Sequence, residues 1–434
     1  MKMDNFAFNQ GLLKFIQSSP TAFHCTLTMT SVLDQAGFER LDEKQAWTLE
    51  LGGRYYVVRN ESSLVAFQMS ERFDITDGFR LVGAHTDSPC LKLRPKSLYC
   101  KEGYLQFNIE VYGGALLSTW FDRDLGLAGK VWFIEKNTGE LTSDLITIQK
   151  PVAYIPSLAI HLDREANINK TINAQTDLNP IVGLSFEDQQ DCYDFDDLLN
   201  SALSDNGHDV ETVLDYDLTL FNLQEPALIG ANHDFIASAR LDNQLSCYTG
   251  LLALLSADTD LSCMLVCSDH EEVGSRSAVG ADSEFVTTIF QRICENATKC
   301  GQLMANSMML STDNAHAVHP NFANKHDPMH KPKMNGGIVI KTNANQRYAS
   351  SSETQSIFKA ICLKNDIPIQ YYSHRNDMPC GSTIGPICSA KLGVRTLDIG
   401  VPTLAMHSTR ELAGSNDAYS LYLALQLYFN TLNL

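Results

Sequence analysis

The string His270-Glu271-Glu272-Val273-Gly274-Ser275 sets two carboxylates side by side after the apolar run LSCMLVCSD. Adjacent carboxylates repel, so such a pair is either a solvated corner or the partner of something cationic. Three more apolar, strand-like runs end in residues that bind cations: RLVGA in His85-Thr86-Asp87, SMMLST in Asp313, and VPTLAM in His407. A fifth candidate, Asp242 in SARLDN, lies just before a helix-like stretch. Two imidazoles with several carboxylates and no thiolate suit zinc or a similar divalent ion. Five ligands exceed one tetrahedral site. They suit two ions about 3.5–4 Å apart that share a bridging carboxylate.

Each residue taken singly has a plainer reading. A lone histidine after a strand is commonly a satisfied polar residue, Asp242 could cap a helix, and Asp87 could cap a turn before Pro89. Glu271 and Glu272 could be exposed. What favours metal chemistry is that the candidates end strand-like runs, since ligands in open α/β sheets bind beyond the carboxyl ends of the strands. HEEVG is not HExxH, because position 274 is glycine, and no GxSxG elbow, Walker A loop or GxGxxG after a strand is present.

The elements that must position these residues fall into three blocks. The first ~90 residues read as helix, helix and strands. An N-terminal amphipathic helix carries Phe8, Leu12, Leu13, Phe15 and Ile16; a second starts near Ser18-Ser19-Pro20 and stops at Gly37; RYYVVR, SLVAFQ and RLVGAH follow as strands. Residues 93–229 change character. YLQFNIEVY alternates with period two, and KVWFIEKNTGELTSDLITI reads as two strands joined at Asn137-Thr138-Gly139, so this block is expected to be a β-rich insertion. From 230 onward strands (LSCMLVCSD, MANSMMLSTD, VRTLDIG) alternate with helices (NQLSCYTGLLALLS, SEFVTTIFQRICENATK), as in an α/β sheet. The expected division is 1–92 with 230–434 as a discontinuous catalytic domain, and 93–229 as the insertion.

Composition narrows the function classes. The 434 residues are 44% hydrophobic and 19% charged, ordinary for a packed globular protein. No apolar run reaches the roughly 18–20 residues of a membrane span. The N-terminus, MKMDNFAFNQ, has no continuous apolar core of an export signal. Twelve cysteines without a CxxC pair are then expected to be reduced thiols in a cytoplasmic protein. The net charge is −18, and residues 171–239 supply fourteen Asp and Glu with no Lys or Arg. Phosphate-backbone binding needs clustered Lys and Arg, so nucleic acid is not an expected partner.

GAHTDSP, RLDN, EEVGS, STDNAHAVHPN, GIVIKTNANQRYA and LAMHSTRE, in order from residue 83 to about 412, together resemble the aspartyl aminopeptidases, a family of two-metal aminopeptidases. The resemblance implies a mixed-sheet α/β zinc-peptidase domain with helices on both faces, and a dimerisation role for the inserted block. It implies that His85, Asp242 and Asp313 hold one ion and Asp242, Glu272 and His407 the other, with Asp242 bridging. Glu271 matches the general base and Asp87 the carboxylate that orients His85. Lys341, His316 and Tyr348 match donors to an acidic substrate residue, and Met406 shapes that pocket. His161 matches a histidine sent from a partner subunit. The expected protein is a homo-oligomer, a dodecamer built from dimers, acting on peptides with N-terminal Asp or Glu. Two other readings stand beside it: the same two-metal hydrolysis on neutral N-terminal residues, and a non-enzymatic scaffold stabilised by metal. Plain lysine chemistry offers a further alternative for Lys341, a solvated side chain at a strand end.

Overall fold

A computed structural model describes residues 4–185, 194–258 and 260–431. The first three residues of the N-terminus and residues 186–193 of the acidic tract lie outside the described residues. The chain divides into two compact units: Met1–Ser88, Pro226–Met406 and Glu411–Leu434 form one, and Pro89–Glu225 with His407–Arg410 the other.

The first unit is built on a nine-stranded mixed sheet. Its order is Glu39–Arg40, Arg54–Arg59, Ser63–Gln68, Ser262–Ser268, Phe79–His85, Met308–Thr312, Arg395–Gly400, Ile338–Thr342 and Ile369–Ser373. Four neighbours, from Ser262–Ser268 to Arg395–Gly400, run parallel. Parallel neighbours bring their carboxyl ends to one edge, which places His85, Asp313 and the turn after Ser268 there. These strands are buried on both faces, and their side chains alternate between two cores. Leu265 and Cys267, Val82 and Ala84, and Leu310 pack with the helices Asn5–Gln17, Ala22–Gln35, Leu241–Leu255, Ser352–Lys364 and Asp417–Phe429. Met264, Val266, Leu81 and Met309 pack on the other face with Phe285–Ile293, Ala297–Asn306 and Ile384–Leu392. Each fully buried Leu, Ile or Phe contributes roughly 1.5–3 kcal/mol relative to exposure. A smaller five-stranded sheet orders Ala227–Ile229, Phe235–Ser238, Glu411–Gly414, Pro402–Leu404 and Ala315–His316.

The second unit is a six-stranded antiparallel sheet: Leu141–Ala153, Leu125–Glu135, Val210–Asn222, Cys90–Lys101, Tyr104–Tyr112 and Ile181–Leu184. The turn at 137–139 forms, with Gly139 at φ 67. The acidic tract also carries a helix, Phe195–Asp205. Asp194 caps it by accepting from the Asp196 amide, and Phe195, Leu199 and Leu203 bury one stripe. The single helix expected over 283–299 is two, Phe285–Ile293 and Ala297–Asn306. Asn296 starts the second by accepting from the Lys299 amide, and Cys294 turns extended between them. Among the described residues no helix is long and apolar enough to cross a membrane.

Candidate metal centre

His85 ends the strand Phe79–His85 and is 1% exposed. Its Nδ1 faces the Asp87 carbonyl at 3.1 Å and the Asp87 carboxylate at 3.3 Å. Its Nε2 lies 3.4 Å from Oδ1 of Asp242 and 3.8 Å from Oδ1 of Asp313. Those last separations are long for hydrogen bonds. They are near the spacing of about 3.3 Å between ligands that each sit 2.0–2.1 Å from a tetrahedral ion. One donor atom from each of His85, Asp242 and Asp313 falls within 4.8 Å of the others, and the same holds for His85, Glu271 and Glu272. With Asp87, five carboxylates crowd one edge of the sheet, and such a cluster needs cations to be stable when buried. The donor set therefore fits divalent metal.

Backbone geometry positions each group. Asp242 lies where the helix Leu241–Leu255 begins irregularly, with φ −84 and ψ 106. Its amide donates to the buried Glu411 at 2.8 Å, and its carbonyl accepts from Ser88 Oγ at 2.6 Å. The Asp313 amide donates to the Ile399 carbonyl at 3.0 Å. Glu271 and Glu272 occupy a single 3-10 turn between His270 (φ 63) and Gly274 (φ 96). The Asp87 carboxylate accepts from both of their amides, Oδ1 from Glu271 and Oδ2 from Glu272, each at 3.1 Å. Asp87 is thus more than the partner of His85: it also anchors the carboxylate doublet. His270 turns aside, its Nδ1 2.7 Å from Ser277 Oγ.

Electrostatics follows from this crowding. Burial disfavours a charged imidazole at His85, but Asp242, Asp313 and Asp87 outweigh it and raise the pKa well above the ordinary value. Burial pushes the Glu271 carboxyl up to about 8; His85 opposes the rise, while Asp313, Glu272 and Asp87 add to it. Dications beside the cluster would favour the ionised forms.

His407 belongs to the short segment of the second unit, at φ 68, with Nδ1 3.1 Å from the Gly114 carbonyl. An Nδ1–H donated to a carbonyl leaves Nε2 as the ring nitrogen that bears the lone pair, the arrangement usual for metal-binding histidines. Lys341 is not a solvated strand end. It is 1% exposed, its Nζ donating to the carbonyls of Asp313 (2.9 Å) and Asn314 (3.3 Å) and lying 3.5 Å from the Asp313 carboxylate. The same ammonium stands 5.2 Å from the centre of the buried Tyr348 ring. His316 has an exposed edge yet is walled in by protein; desolvation and the Lys341 charge push its imidazole down to about 4. Met406 is half-buried, and His161 is exposed in a turn of the second unit.

Sequence reasoning missed Glu411, although it stands in the same LAMHSTRE string as His407. It also missed the close approach at Gly400, where a Cβ would run into the Asp313 carbonyl. Gly400→Ala is expected to displace that ligand, lower stability by about 1–3 kcal/mol and weaken metal retention; denaturant unfolding with metal analysis checks both. Unchanged metal content would show that the backbone at Asp313 yields without cost to the site.

Residues 15–429 match the family described as "Aminopeptidase I zinc metalloprotease (M18)". "Probable M18 family aminopeptidase 2" of Pseudomonas fluorescens (strain SBW25) is 50% identical over 424 residues, covering 98% of each chain. Among solved structures, a chain from the Ape4 and Nbr1 complex aligns with TM-score 0.93 and 36% identity, covering 99% of this chain and 87% of that one. A chain of the S. cerevisiae mApe1 dodecamer aligns with TM-score 0.85 and 28% identity, covering 97% and 96%. A buried cluster of histidine and carboxylates at the carboxyl edge of a mixed sheet, found in a chain matched over nearly all its length, leads to one conclusion: this protein belongs to the M18 family of zinc metallo-aminopeptidases.

Proposed function

We propose that this M18 aminopeptidase removes Asp and Glu from the N-termini of peptides, using two metal ions per subunit. His85, Asp242 and Asp313 would hold one ion, and Asp242, Glu272 and His407 the other. When bound, the ions lower the pKa of a water and polarise the scissile carbonyl. Glu271 would take the proton of the attacking water on its carboxylate and pass it to the departing amine. Asp87 fixes the tautomer of His85 and holds the peptide units of Glu271 and Glu272. The observation that carries this reading is Glu271 itself, a half-buried carboxylate beside His85 and Glu272 whose backbone is tied by Asp87.

Lys341 supplies positive charge near the substrate's acidic side chain, with His316, Tyr348 and Met406 lining the same wall. His161 reaches the site of a partner subunit, and the six-stranded unit joins subunits into dimers that assemble as a dodecamer in the cytoplasm. The mApe1 of S. cerevisiae, one of the similar solved proteins, is a dodecamer, and that likeness supports this assembly. A metal-stabilised scaffold is set aside by membership in an aminopeptidase family.

A second reading, preference for neutral N-terminal residues, is favoured by one observation. An ammonium has three hydrogens, and the Asp313 carbonyl, the Asn314 carbonyl and the Asp313 carboxylate all lie near Nζ of Lys341. Steady-state kinetics on peptides starting with Asp, Glu, Leu and Ala, with Lys341→Ala alongside, discriminates the two. The acidic reading expects wild type to favour Asp and Glu, and the variant to lose roughly 10–100-fold in kcat/KM on those alone, as for a charge-assisted hydrogen bond. Equal losses on all four would mark Lys341 as support for Asp313 instead.

A further inference from the structure

Asp398 is a fully buried carboxylate that neither the metal centre nor the catalytic step uses. It lies in the strand Arg395–Gly400, between the strand that leads to Asp313 and the strand that carries Lys341. Burying a charge is costly unless it is paired and hydrogen-bonded, and each bond here is one the carboxylate accepts. Oδ1 accepts from Ser311 Oγ at 2.7 Å and from Thr383 Oγ1 at 2.6 Å; Oδ2 accepts from the Ala349 amide at 2.6 Å. Gly385 makes the space, since a Cβ there would strike the carboxylate. Burial raises the Asp398 pKa, while Lys341 and the three donors pull it back.

Its neighbours lead directly to the substrate wall. The antiparallel register pairs Val339 with Gly400 and Ile340 with Ile399, so the next step sets Lys341 opposite Asp398. Opposite charges at facing strand positions attract. Ser350 Oγ accepts from the Asp398 amide at 3.1 Å and donates to the Lys341 carbonyl at 2.6 Å. Ala349, held by the carboxylate, follows Tyr348, whose ring lies against the Lys341 ammonium. Asp398 therefore reaches both parts of the wall: its carboxylate holds Ala349 and the strand before Asp313, its charge acts on the Lys341 ammonium, and its amide meets the Lys341 carbonyl through Ser350.

We infer that Asp398 is a positioning residue for substrate selection: it balances the Lys341 charge that Asp313 alone would otherwise capture, and it holds Tyr348 in the wall that receives the substrate's first side chain. This inference rests on the acidic-substrate reading above. Without the Asp398 charge, the Lys341 ammonium, already bonded to the Asp313 carbonyl, is left with the Asp313 carboxylate as the nearer counter-charge, and the loop from 343 to 350 loses its anchor. Selectivity should suffer before hydrolysis does.

The test measures kcat and KM for wild type, Asp398→Asn and Ser311→Ala on peptides beginning with Asp, Glu, Leu and Ala, with metal content and unfolding temperature recorded. Asp398→Asn keeps the shape but removes the charge and sets an amide against donors. The expected result is a loss of about 10-fold or more in kcat/KM on Asp and Glu, mainly through KM, with Leu and Ala changed less than about 3-fold. Ser311→Ala, which removes one of the three donors, should move the ratio the same way by a smaller factor. A folded Asp398→Asn that keeps the wild-type ratio overturns the inference and leaves the acidic reading intact. Wild type without an acidic preference overturns both. Should Asp398→Asn fail to fold, an unchanged ratio in Ser311→Ala overturns the inference.

Discussion

Glu271→Gln is expected to keep its metal and its fold while losing roughly 10²–10⁴-fold in kcat, the usual contribution of a positioned general base. The amide has nearly the shape of the carboxylate, so the turn from Glu271 to Val273 and its tie to Asp87 through backbone amides remain. What disappears is the capacity to accept a proton. Burial and the neighbouring carboxylates that lift Glu271 to about 8 act on the acid alone, so the variant also sheds a charge the cluster must otherwise neutralise. Stability should hold or rise slightly while turnover collapses, and that opposition separates a catalytic role from a structural one. Single-turnover assays with metal analysis on the same preparation read both. Substantial activity in metal-loaded Glu271→Gln would remove Glu271 from the mechanism.

The second large effect is expected on stripping the metal. A strong chelator should abolish hydrolysis and lower the unfolding temperature, and added Zn²⁺ should restore both. A ligand that binds only the folded state stabilises it by about 4 kcal/mol when present at 1,000 times its Kd. In this protein the loss adds to repulsion among Asp87, Asp242, Asp313, Glu271 and Glu272, gathered around one buried imidazole. Scanning calorimetry with activity assays before and after chelation measures the coupling. Recovery of half the stability at one equivalent of metal, and of activity only at two, would support the two-ion reading. Full activity at one equivalent would sink it.

Much of the centre was legible because its residues sit where strand patterns stop. Four apolar runs of strand length each ended in His, Asp or Glu, and three of them lie near each other in one sheet, where their ends meet. Local patterns do not encode what crosses between strands. Asp87 holds amides 184 and 185 positions away, and the buried Lys341 ammonium is satisfied by the carbonyls of Asp313 and Asn314. Asp398 looked like one more residue in the strand VRTLDIG. The helix Phe195–Asp205 was legible in principle: Asp194 is a fit cap and 195, 199 and 203 are spaced for one helix face. Density of acidic residues masked that spacing. The break near Asn296 was equally present in the sequence, as a capping residue inside a run otherwise suited to one helix.

The grip of Asp87 on two successive amides carries a mechanical consequence. Its two oxygens act as a caliper closed on consecutive peptide units, so the separation between the proposed base and the proposed ligand is set by one residue of backbone and not by the loop beyond. Displacement of the chain after Gly274 would swing against a fixed jaw. The proton acceptor and the ion it serves would then keep step through every turnover, and a substitution at Asp87 would detune their alignment even where each side chain remained in place.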